Sequence, residues 1–407
     1  MNTICDTMEQ GWNFIWKSLF YPETSLFYDY LTGCGEMRFA HLPKKEEVAA
    51  QVPNPCGWGT GMEDCMLNAG SVIDILRIRK TVLGEENTGR AEKVVNGIHR
   101  CATVHGKDGF LVRGVTLDGK SCYANSSRDQ FTLAVFGLWR FLRTWEEASE
   151  PVRKNAEYAL LAIARYCEAT VTEANDYDLL RLDGRPALVS KLWNCAVHEW
   201  LRLPMIYAAA FDCSGDRHWA ELAGRYADRA LAESQKFDPA DPAWWDISLM
   251  QMQISLTMFR EIGLFPEMEA ALTSLIHRVS AKSEEKLREI LRGALEYDGE
   301  WNVRNADWRT RPFLLQKEVL KRTGGVALLG GKAYFNPVFP DEYRKPFNYL
   351  RGTGNYLIAC ASDADWKMPE DLRTSFVRLM ERQDFPDAAT DGVINLLHGY
   401  WLLRRNG

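Results

Sequence analysis

Two kinds of predicted helix alternate along this chain, and the alternation constrains the fold more than any other feature. Residues 130–145 are apolar on nearly every side, which is typical of a helix buried all round. The next helix, 152–168, is amphipathic, with one apolar stripe and charged residues opposite it. The same order recurs along the chain. It predicts an inner layer of buried helices covered by an outer layer of amphipathic ones.

Five more predicted pairs follow this order. With the inner helix first, they are 62–82 with 88–103, 193–211 with 216–236, 244–262 with 266–280, 354–361 with 369–382, and 392–403 with the N-terminal helix 4–20. Strand signals are sparse, and a small hairpin is predicted at 109–113. We therefore predict an all-α fold, an (α/α)6 toroid of six helical hairpins arranged as inner and outer rings. It forms a single domain over residues 1–407.

Polar and aromatic residues gather where each inner helix is predicted to begin. The clusters are 58–64, 125–130, 193–194, 241–246, 351–355 and 390–392. In a ring of similar helices these starts would meet at one rim. The connections that lead into the inner helices are long, and the longest, 297–350, is predicted as a loop insertion at that rim. Long ordered loops at one end of a fold are usually functional.

Helix capping explains part of these clusters. Residues 60–63 and 127–130 each match the capping box, S/T-x-x-E/Q. Asp64 and Asp129 stand beside these boxes, at the starts of helices that are apolar all round. A carboxyl group placed there would have the perturbed pKa that acid–base catalysis uses. We predict Asp129 as the general acid/base and Asp64, or else Glu63, as the second carboxylate.

The other residues at the predicted helix starts are candidates for binding substrate. Aromatic faces suit the apolar faces of sugar rings, and arginine among aromatics suits a carboxylated sugar. The loop 297–350 is also dense in arginine, tryptophan and tyrosine. We therefore predict an oligosaccharide partner, anionic in character. The predicted binding residues are Arg128, Trp58, Trp193, Asn194, His198, Trp244, Trp245, Asp246, Arg351 and Asn355.

Composition and charge exclude several other classes of function. The net charge of −6 argues against nucleic acid as a partner. No apolar run approaches the length of a membrane span, so no membrane partner is predicted. The ten cysteines are scattered without a CxxC pair, and residues 1–17 lack the pattern of a signal peptide. A cytoplasmic location is predicted, and a periplasmic one stays open if a signal peptide has been removed.

Neither a metal nor an organic cofactor is predicted. His198-Glu199 begins like the zinc motif H-E-x-x-H, but Arg202 occupies the place of the second histidine. The glycine-rich run 323–332 does not meet the phosphate-loop pattern, and there is no G-x-G-x-x-G.

Two short stretches carry a resemblance to a known family. The start Glu63-Asp64 followed by Asn68, and the start Arg128-Asp129, are similar to helix starts in unsaturated glucuronyl hydrolases and related bacterial glucuronidase-like proteins. These enzymes belong to the six-hairpin toroid glycosidases. The order of the two motifs is swapped relative to those hydrolases. The resemblance implies the toroid fold and a uronic-acid substrate.

The predicted function is therefore a glycoside hydrolase of polysaccharide degradation, acting on a uronic-acid-containing oligosaccharide. Three alternatives stay open. A sugar epimerase would use His198 and His398 as bases. A polysaccharide lyase would use a tyrosine or histidine to remove a proton next to the uronate carboxylate. The third alternative is a glycan-binding protein without catalysis.

Overall fold

A computed structural model describes residues 4–310, 313–315, 335–337 and 341–407, and this part of the chain is mostly helical. The predicted all-α class is confirmed. The α-helices are, in chain order, α1 (Ile4–Phe14), α2 (Lys45–Ala49), α3 (Cys65–Leu83), α4 (Thr88–Thr103), α5 (Arg128–Thr144), α6 (Glu150–Thr170), α7 (Arg202–Ser214), α8 (Arg217–Ser234), α9 (Asp246–Ile262), α10 (Glu269–Glu296), α11 (Asp341–Ala361), α12 (Glu370–Met380) and α13 (Gly392–Arg405).

The predicted alternation of buried and amphipathic helices is confirmed. Helices α3, α5, α7, α9 and α13 are buried over most of their length, and α11 is buried over its second half. Helices α4, α6, α8, α10 and α12 bury one stripe and expose the rest. A helix that is apolar all round has no face for water, so the amphipathic helices must cover it.

The buried helices pack on one another in a fixed order. Helix α3 packs on α5, α5 on α7, α7 on α9, α9 on α11, α11 on α13, and α13 packs back on α3. The amphipathic helices cover them: α4 contacts α3, α6 contacts α5 and α7, α8 contacts α7, and α10 contacts α9 and α11. Helix α1 contacts α12 and α13, so the two ends of the chain meet.

Glycines allow two of these helix pairs to approach closely. A Cβ added to Gly70 in α3 would lie 2.0 Å from the carbonyl oxygen of Leu133 in α5. A Cβ added to Gly354 in α11 would lie 2.3 Å from the backbone of Asn395 in α13. Both pairs therefore have nearly touching backbones, which brings polar side chains near these glycines within reach of the facing helix.

Two predicted helix starts are wrong. No helix begins at Trp193, since Asn194 takes a left-handed conformation (φ 49°) and α7 starts only at Arg202. Helix α11 begins at Asp341, before the glycines at 352 and 354 that predicted a start. These glycines lie inside the helix at close contacts with other helices, which explains why they resembled helix punctuation. Residues 341–350 of the predicted loop 297–350 are therefore helical.

Within the described residues, the strands form three two-stranded antiparallel pairs. They are β1 (Phe20–Tyr21) with β2 (Leu26–Phe27), β3 (Asp178–Leu180) with β4 (Pro186–Lys191), and β5 (Phe313–Leu315) with β6 (Phe335–Pro337). The hairpin predicted at 109–113 is wrong: these residues form an irregular segment, and its apolar side chains are buried. Burial of side chains, and not strand pairing, accounts for its apolar run. Among the described helices, none is both long and apolar enough to cross a membrane.

Candidate active site

Polar side chains near the starts of α3, α5, α7, α9 and α13, and in the middle of α11, contact one another across helix boundaries. Their contacts join α3 to α5 and α11, α5 to α7, α9 to α11, α11 to α13, and α13 to α3. We call this set the rim cluster. Its members are Asp64, Asn68, Arg113, Arg128, Asp129, Gln130, His198, Glu199, Arg202, Asp246, Arg351, Asn355, Asp391 and Asn395.

Asp64 connects three parts of the chain. It is the N-cap residue of α3, yet its side chain does not cap that helix. Instead Oδ2 lies 3.0 Å from Nη2 of Arg351, and Oδ1 accepts a hydrogen bond from Nε2 of Gln130 at 3.1 Å. Nη1 of Arg113 lies 3.8 Å from Oδ1. The Asp64 side chain keeps 14% of its surface exposed, so a ligand can reach it.

Glu63, the neighbour of Asp64, faces a loop. Oε2 accepts hydrogen bonds from the backbone nitrogens of Gly59 (2.6 Å) and Thr60 (3.1 Å), and Oε1 accepts one from the hydroxyl of Tyr30 at 3.0 Å. Burial, and then the nearby Asp64 carboxylate, raise the pKa of Glu63 to about 8. Of the two acids, Asp64 therefore has the partners of a site residue, and Glu63 fixes the loop before it.

The capping box predicted at 127–130 is wrong. Ser127 is the N-cap residue of α5 but makes no capping hydrogen bond through its side chain. The fully buried Gln130 reaches across to α3, where Oε1 accepts from the backbone nitrogen of Met66 at 3.2 Å. Its Nε2 donates to the carbonyl oxygen of Glu63 at 3.0 Å. The close approach of α3 and α5 makes this reach possible, and it couples the start of α3 to α5.

Asp129 is held by an arginine that the sequence gave no reason to select. Nη1 of Arg202, which is 1% exposed, lies 2.5 Å from Oδ1 of Asp129. Burial alone would raise the pKa of Asp129, but the Arg202 and Arg128 guanidinium groups outweigh it and lower that pKa. The Asp129 side chain is 29% exposed. It is therefore an ionised carboxylate that both meets solvent and is fixed in position.

A second ion pair lies beside Asp129. Arg128, at the first position of α5, pairs through Nη2 with Oε1 of the buried Glu199. Nε2 of His198 lies 3.1 Å from the same oxygen, and the His198 ring meets Trp244 edge-on at 5.8 Å. Burial would raise the pKa of Glu199, but the hydrogen bond from His198 and the charge of Arg128 lower it. Arg128 and His198 are thus fixed by one carboxylate.

Trp193, Asn194 and His198 do not lie on the predicted helix 193–211, because α7 begins only at Arg202. The Trp193 ring packs edge-on against Trp200 and is 5% exposed, so it cannot stack on a sugar. Asn194 is exposed and accepts a hydrogen bond from Nη2 of Arg229, on the outer helix α8, at 3.2 Å. Only His198 of these three joins the rim cluster.

Asp246 begins a chain of amide contacts. Its Oδ2 accepts a hydrogen bond from Nδ2 of Asn355 at 2.7 Å, and Oδ1 of Asn355 accepts one from Nδ2 of Asn395 at 2.7 Å. Asn355 is fully buried inside α11, so it orients Asp246 and is not itself in reach of a ligand. Arg351 lies one helical turn earlier in α11, with its guanidinium 5.5 Å from the ring of Phe347.

The three remaining predicted tryptophans differ in exposure. Trp245 is 56% exposed and precedes Asp246 directly. Trp244 is half-buried, and its Nε1 donates to the carbonyl oxygen of Asp238 at 2.6 Å. Trp58 is half-buried, with the Arg113 guanidinium 5.6 Å from its ring. Trp245 is therefore the tryptophan most available for stacking, and Trp58 borders the arginine nearest to Asp64.

Two buried acids were not predicted as site residues. Oδ1 of Asp29 accepts a hydrogen bond from the backbone nitrogen of Asp391 at 2.6 Å, and Oδ2 of Asp391 accepts one from Nδ2 of Asn68 at 3.1 Å. Burial raises the pKa of both acids; for Asp29 the neighbouring Asp391 carboxylate raises it further. The pair ties the start of α13 to the segment before Tyr30. Asp391 belongs to the polar cluster 390–392 that was identified in the sequence, whereas no sequence pattern pointed to Asp29 as a site residue.

His398 cannot meet a ligand at the rim. It is fully buried, and its Nε2 lies 3.0 Å from Oδ2 of Asp74, which is also buried. The epimerase alternative requires His198 and His398 to act together on one substrate. Complete burial removes His398 from that role.

The arginines and tryptophan of segment 301–310 have structural partners. Nη2 of Arg309 lies 2.6 Å from Oε2 of Glu47. Trp308 is buried and donates from Nε1 to the carbonyl oxygen of His41 at 2.8 Å. These contacts fasten the segment to residues 41–47. Arg309 and Trp308 therefore have structural partners, although the arginines and aromatics of the loop 297–350 were predicted to suit a carboxylated sugar. Arg311 and Tyr334, which belong to the same loop, lie outside the described residues.

One group of potential metal ligands occurs in the described part of the chain, and it lies outside the rim cluster. It comprises His277, Asp363 and Asp365, with 2.7 Å between Nδ1 of His277 and Oδ2 of Asp363. This distance is that of a hydrogen bond between the two side chains.

No protein-family model matches the chain, and a search of curated proteins finds no significant match. The inference of function therefore depends on the residues and their geometry.

Proposed function

We propose that the protein is a glycoside hydrolase that cleaves uronic-acid-containing oligosaccharides at the rim cluster. The observation that carries the proposal is a pair of solvent-accessible carboxylates, Asp64 and Asp129, on neighbouring buried helices. Each is held by an arginine from another helix, and Gln130, which follows Asp129 in α5, donates to Asp64. Cleavage of a glycosidic bond uses two carboxyl groups that flank the bond.

We further propose that the helices form an (α/α)6 toroid over the whole chain. The order of packing supports this arrangement, because each buried helix packs on the next and α13 packs on α3. In a toroid the starts of the six buried helices would surround one bowl. The contacts of the rim cluster between helices are those that such a bowl requires.

Asp129 acts as the general base in this proposal. Its lowered pKa keeps it ionised at neutral pH, so it can accept a proton from water and cannot donate one. The Arg202 contact fixes one carboxylate oxygen and leaves the other for the water molecule. This sharpens the predicted general acid/base role of Asp129 to that of a base.

Asp64 acts as the second carboxyl group, the acid that cleavage of the bond requires. In the free protein Arg351 pairs with Asp64 at 3.0 Å. A uronate carboxylate that binds Arg351 would compete for this guanidinium and weaken its hold on Asp64. This exchange of partners would couple Asp64 to a substrate that carries a carboxylate.

Recognition of the sugar falls to side chains in the rim cluster and beside it. Trp245 and Trp58 offer ring faces for stacking, and Arg128 and Arg351 offer guanidinium groups for the uronate carboxylate. Glu199 holds Arg128 in place, which lowers the entropy cost of binding.

A lyase is less well supported by this geometry. Tyr30 donates a hydrogen bond to Glu63, the neighbour of Asp64, and burial raises the pKa of Tyr30 well above the usual value. A phenol of raised pKa is a poor base, so His198 is the remaining candidate for proton abstraction. A glycan-binding protein without catalysis would use the same recognition groups. It would release no products, which distinguishes it from an enzyme.

The decisive test compares products and variants on a panel of uronate-bearing oligosaccharides. Wild-type protein should release new reducing ends without the ultraviolet absorbance of an unsaturated product. Asp129→Asn should lower turnover by about 10²–10⁴-fold, the usual contribution of a general base. His198→Ala, a nearby change that leaves both carboxylates intact, should keep most of the turnover.

Three results would overturn the hydrolase proposal. An unsaturated product lost in His198→Ala would indicate a lyase. An isomerised sugar with no cleavage would indicate an epimerase. Binding of the oligosaccharides by wild type and both variants, with no turnover by wild type, would indicate a binding protein.

A further inference from the structure

A cavity of about 520 Å³ lies beside the C-terminal end of α1, and no member of the rim cluster lines it. Its walls come from α1 and the turn that follows, from residues 31–38, from Arg304, and from residues 386–387. This volume is in the range of small-molecule binding sites. The cavity is thus a separate place where a ligand of one or two sugar rings would fit.

The cavity is positively charged in a protein whose net charge is −6. Lys17, Arg38 and Arg304 line it, against one acid, Asp387. None of the three cations forms an ion pair with a carboxylate in the described ranges of the chain. Nη1 of Arg38 donates to the carbonyl oxygen of Gly35 at 2.9 Å, and Arg304 likewise donates only to carbonyl oxygens. These neutral acceptors position the guanidinium groups without cancelling their charge.

The remaining walls combine free polar groups with an apolar surface. Gln10, Asn13 and Ser18 face the cavity, and their side chains make no hydrogen bond within the residues that the structure describes. Phe14, Leu31 and Pro386 supply the apolar part of the lining. Cations, free amide and hydroxyl groups and an apolar wall together match a ligand with a carboxylate, several hydroxyls and one apolar ring face.

We propose that this cavity is a second binding site, which takes a small sugar acid such as a free hexuronate. The carboxylate binds among Lys17, Arg38 and Arg304, and the hydroxyls bind the amide side chains of Gln10 and Asn13. This site lies apart from the proposed reaction, and binding here requires no catalysis.

A cysteine allows a measurement confined to this cavity. Cys34 is exposed, carries a free thiol and lines the cavity. Cys5 is also exposed and free but lies outside the cavity walls, so it serves as an internal control. The alkylation rate of each thiol by iodoacetamide is followed by peptide mass spectrometry on the full chain, with glucuronate or glucose added.

Glucuronate should slow alkylation of Cys34 about fivefold at a concentration about four times its Kd, by simple occupancy. Cys5 should keep its rate, and glucose, which lacks the carboxylate, should protect neither thiol. Lys17→Gln, a substitution at an exposed position, should reduce the protection of Cys34. Combining it with Arg38→Gln should reduce that protection further. A matched pair of surface changes, Lys154→Gln with Lys236→Gln, should not.

The proposal is overturned if glucuronate leaves the Cys34 rate unchanged, if glucose protects Cys34 equally, or if Cys5 is slowed to the same degree. Because Asp129→Asn leaves the cavity intact, Cys34 should be protected equally in that variant. Failure here and failure of the hydrolase proposal are therefore separate results.

Discussion

Arg202→Met tests whether the ion pair with Asp129 has the strength that its burial implies. The substitution keeps an unbranched side chain of similar reach in α7 and removes the guanidinium. Asp129 then loses the partner whose Nη1 lies 2.5 Å away and remains as an unpaired carboxylate. The variant should be less stable at neutral pH, and its Asp129 should have a higher pKa.

The size of the effect follows from the exposure of the two groups. Removing one partner of a buried ion pair costs about 3–5 kcal/mol, because the other charge stays buried without compensation. Arg202 is 1% exposed, but the Asp129 side chain is 29% exposed and stays partly hydrated. We therefore expect a loss of about 2–3 kcal/mol in the free energy of unfolding, below the full buried-pair value.

The pH dependence has a defined sign. The pKa of Asp129 is lowered in the folded protein, so the pair stabilises the fold above the unfolded-state pKa of about 3.9. That stabilisation disappears as the pH falls through the folded-state pKa. The difference in stability between wild type and Arg202→Met should therefore be largest near neutral pH and shrink below about pH 4.

Urea unfolding followed by circular dichroism, at neutral and acidic pH, measures both effects. Arg225→Met is the matched control, because Arg225 is exposed on α8 and has no ion pair in the described part of the chain. It should change stability by less than about 0.5 kcal/mol. A cycle with Asp129→Asn and the double variant should give a coupling energy of about 1–2 kcal/mol. The reasoning is refuted if Arg202→Met costs no more than the control, or if the coupling is zero.

Three further outcomes are expected. Trp245→Ala should weaken oligosaccharide binding in calorimetry while changing stability by less than about 0.5 kcal/mol, because the ring is largely exposed; unchanged affinity contradicts stacking. Gly70→Ala should lower the free energy of unfolding in urea by about 2–3 kcal/mol, because its Cβ would strike Leu133. Gly89→Ala, where the added Cβ meets open space, should cause no such loss. Equal effects of the two substitutions would refute the close contact. Glu63 has a folded-state pKa of about 8, above its unfolded value, so wild type should lose stability between pH 5 and 8. In Glu63→Gln the stability should fall less over this pH range than in wild type. Parallel curves of stability against pH for the two proteins would contradict the raised pKa of Glu63.

Helices with a regular apolar pattern, whether buried all round or along one stripe, could be predicted well from sequence. The predicted ranges 88–103 and 244–262 correspond to α4 (Thr88–Thr103) and α9 (Asp246–Ile262). Their periodicity is strong because burial on every side, or along one stripe, leaves little choice of residue. The lengths of the helices were harder to predict. Helix α10 continues to Glu296, well past the predicted end at residue 280, because no glycine or proline interrupts its amphipathic stripe there.

Starts were mispredicted where glycine or asparagine has a tertiary role. The glycines at 352 and 354 resemble punctuation, yet each is required where α11 meets another helix. A single sequence cannot distinguish a glycine that ends a helix from one that allows close packing, because both need only the absence of a side chain. The start predicted at Trp193 was also wrong. Its polar and aromatic neighbours resembled a binding site in the sequence, but the Trp193 side chain is part of the core.

The site could be predicted only in part. Asp64, Arg128, Asp129 and Asp246 were selected because they stand at helix starts, and they do lie in the rim cluster. Arg351 and Asn355 were also selected, but their pairing with Asp64 and Asp246 could not be predicted, because those contacts span long distances in sequence. Asp64 and Arg351 are 287 positions apart. Arg202 was noticed only as the residue that breaks a zinc motif. Its role becomes visible once α5 and α7 are packed together.

A crystal structure of Asp129→Asn, which should bind but not cleave, with a uronate-bearing oligosaccharide would show whether the rim cluster forms one site for an anionic sugar. We expect a glycosidic bond between Asp64 and residue 129, with the uronate carboxylate on Arg351 and a sugar ring on Trp245. A ligand bound away from the rim cluster, or carboxyl groups of Asp64 and residue 129 that face separate surfaces, would contradict it.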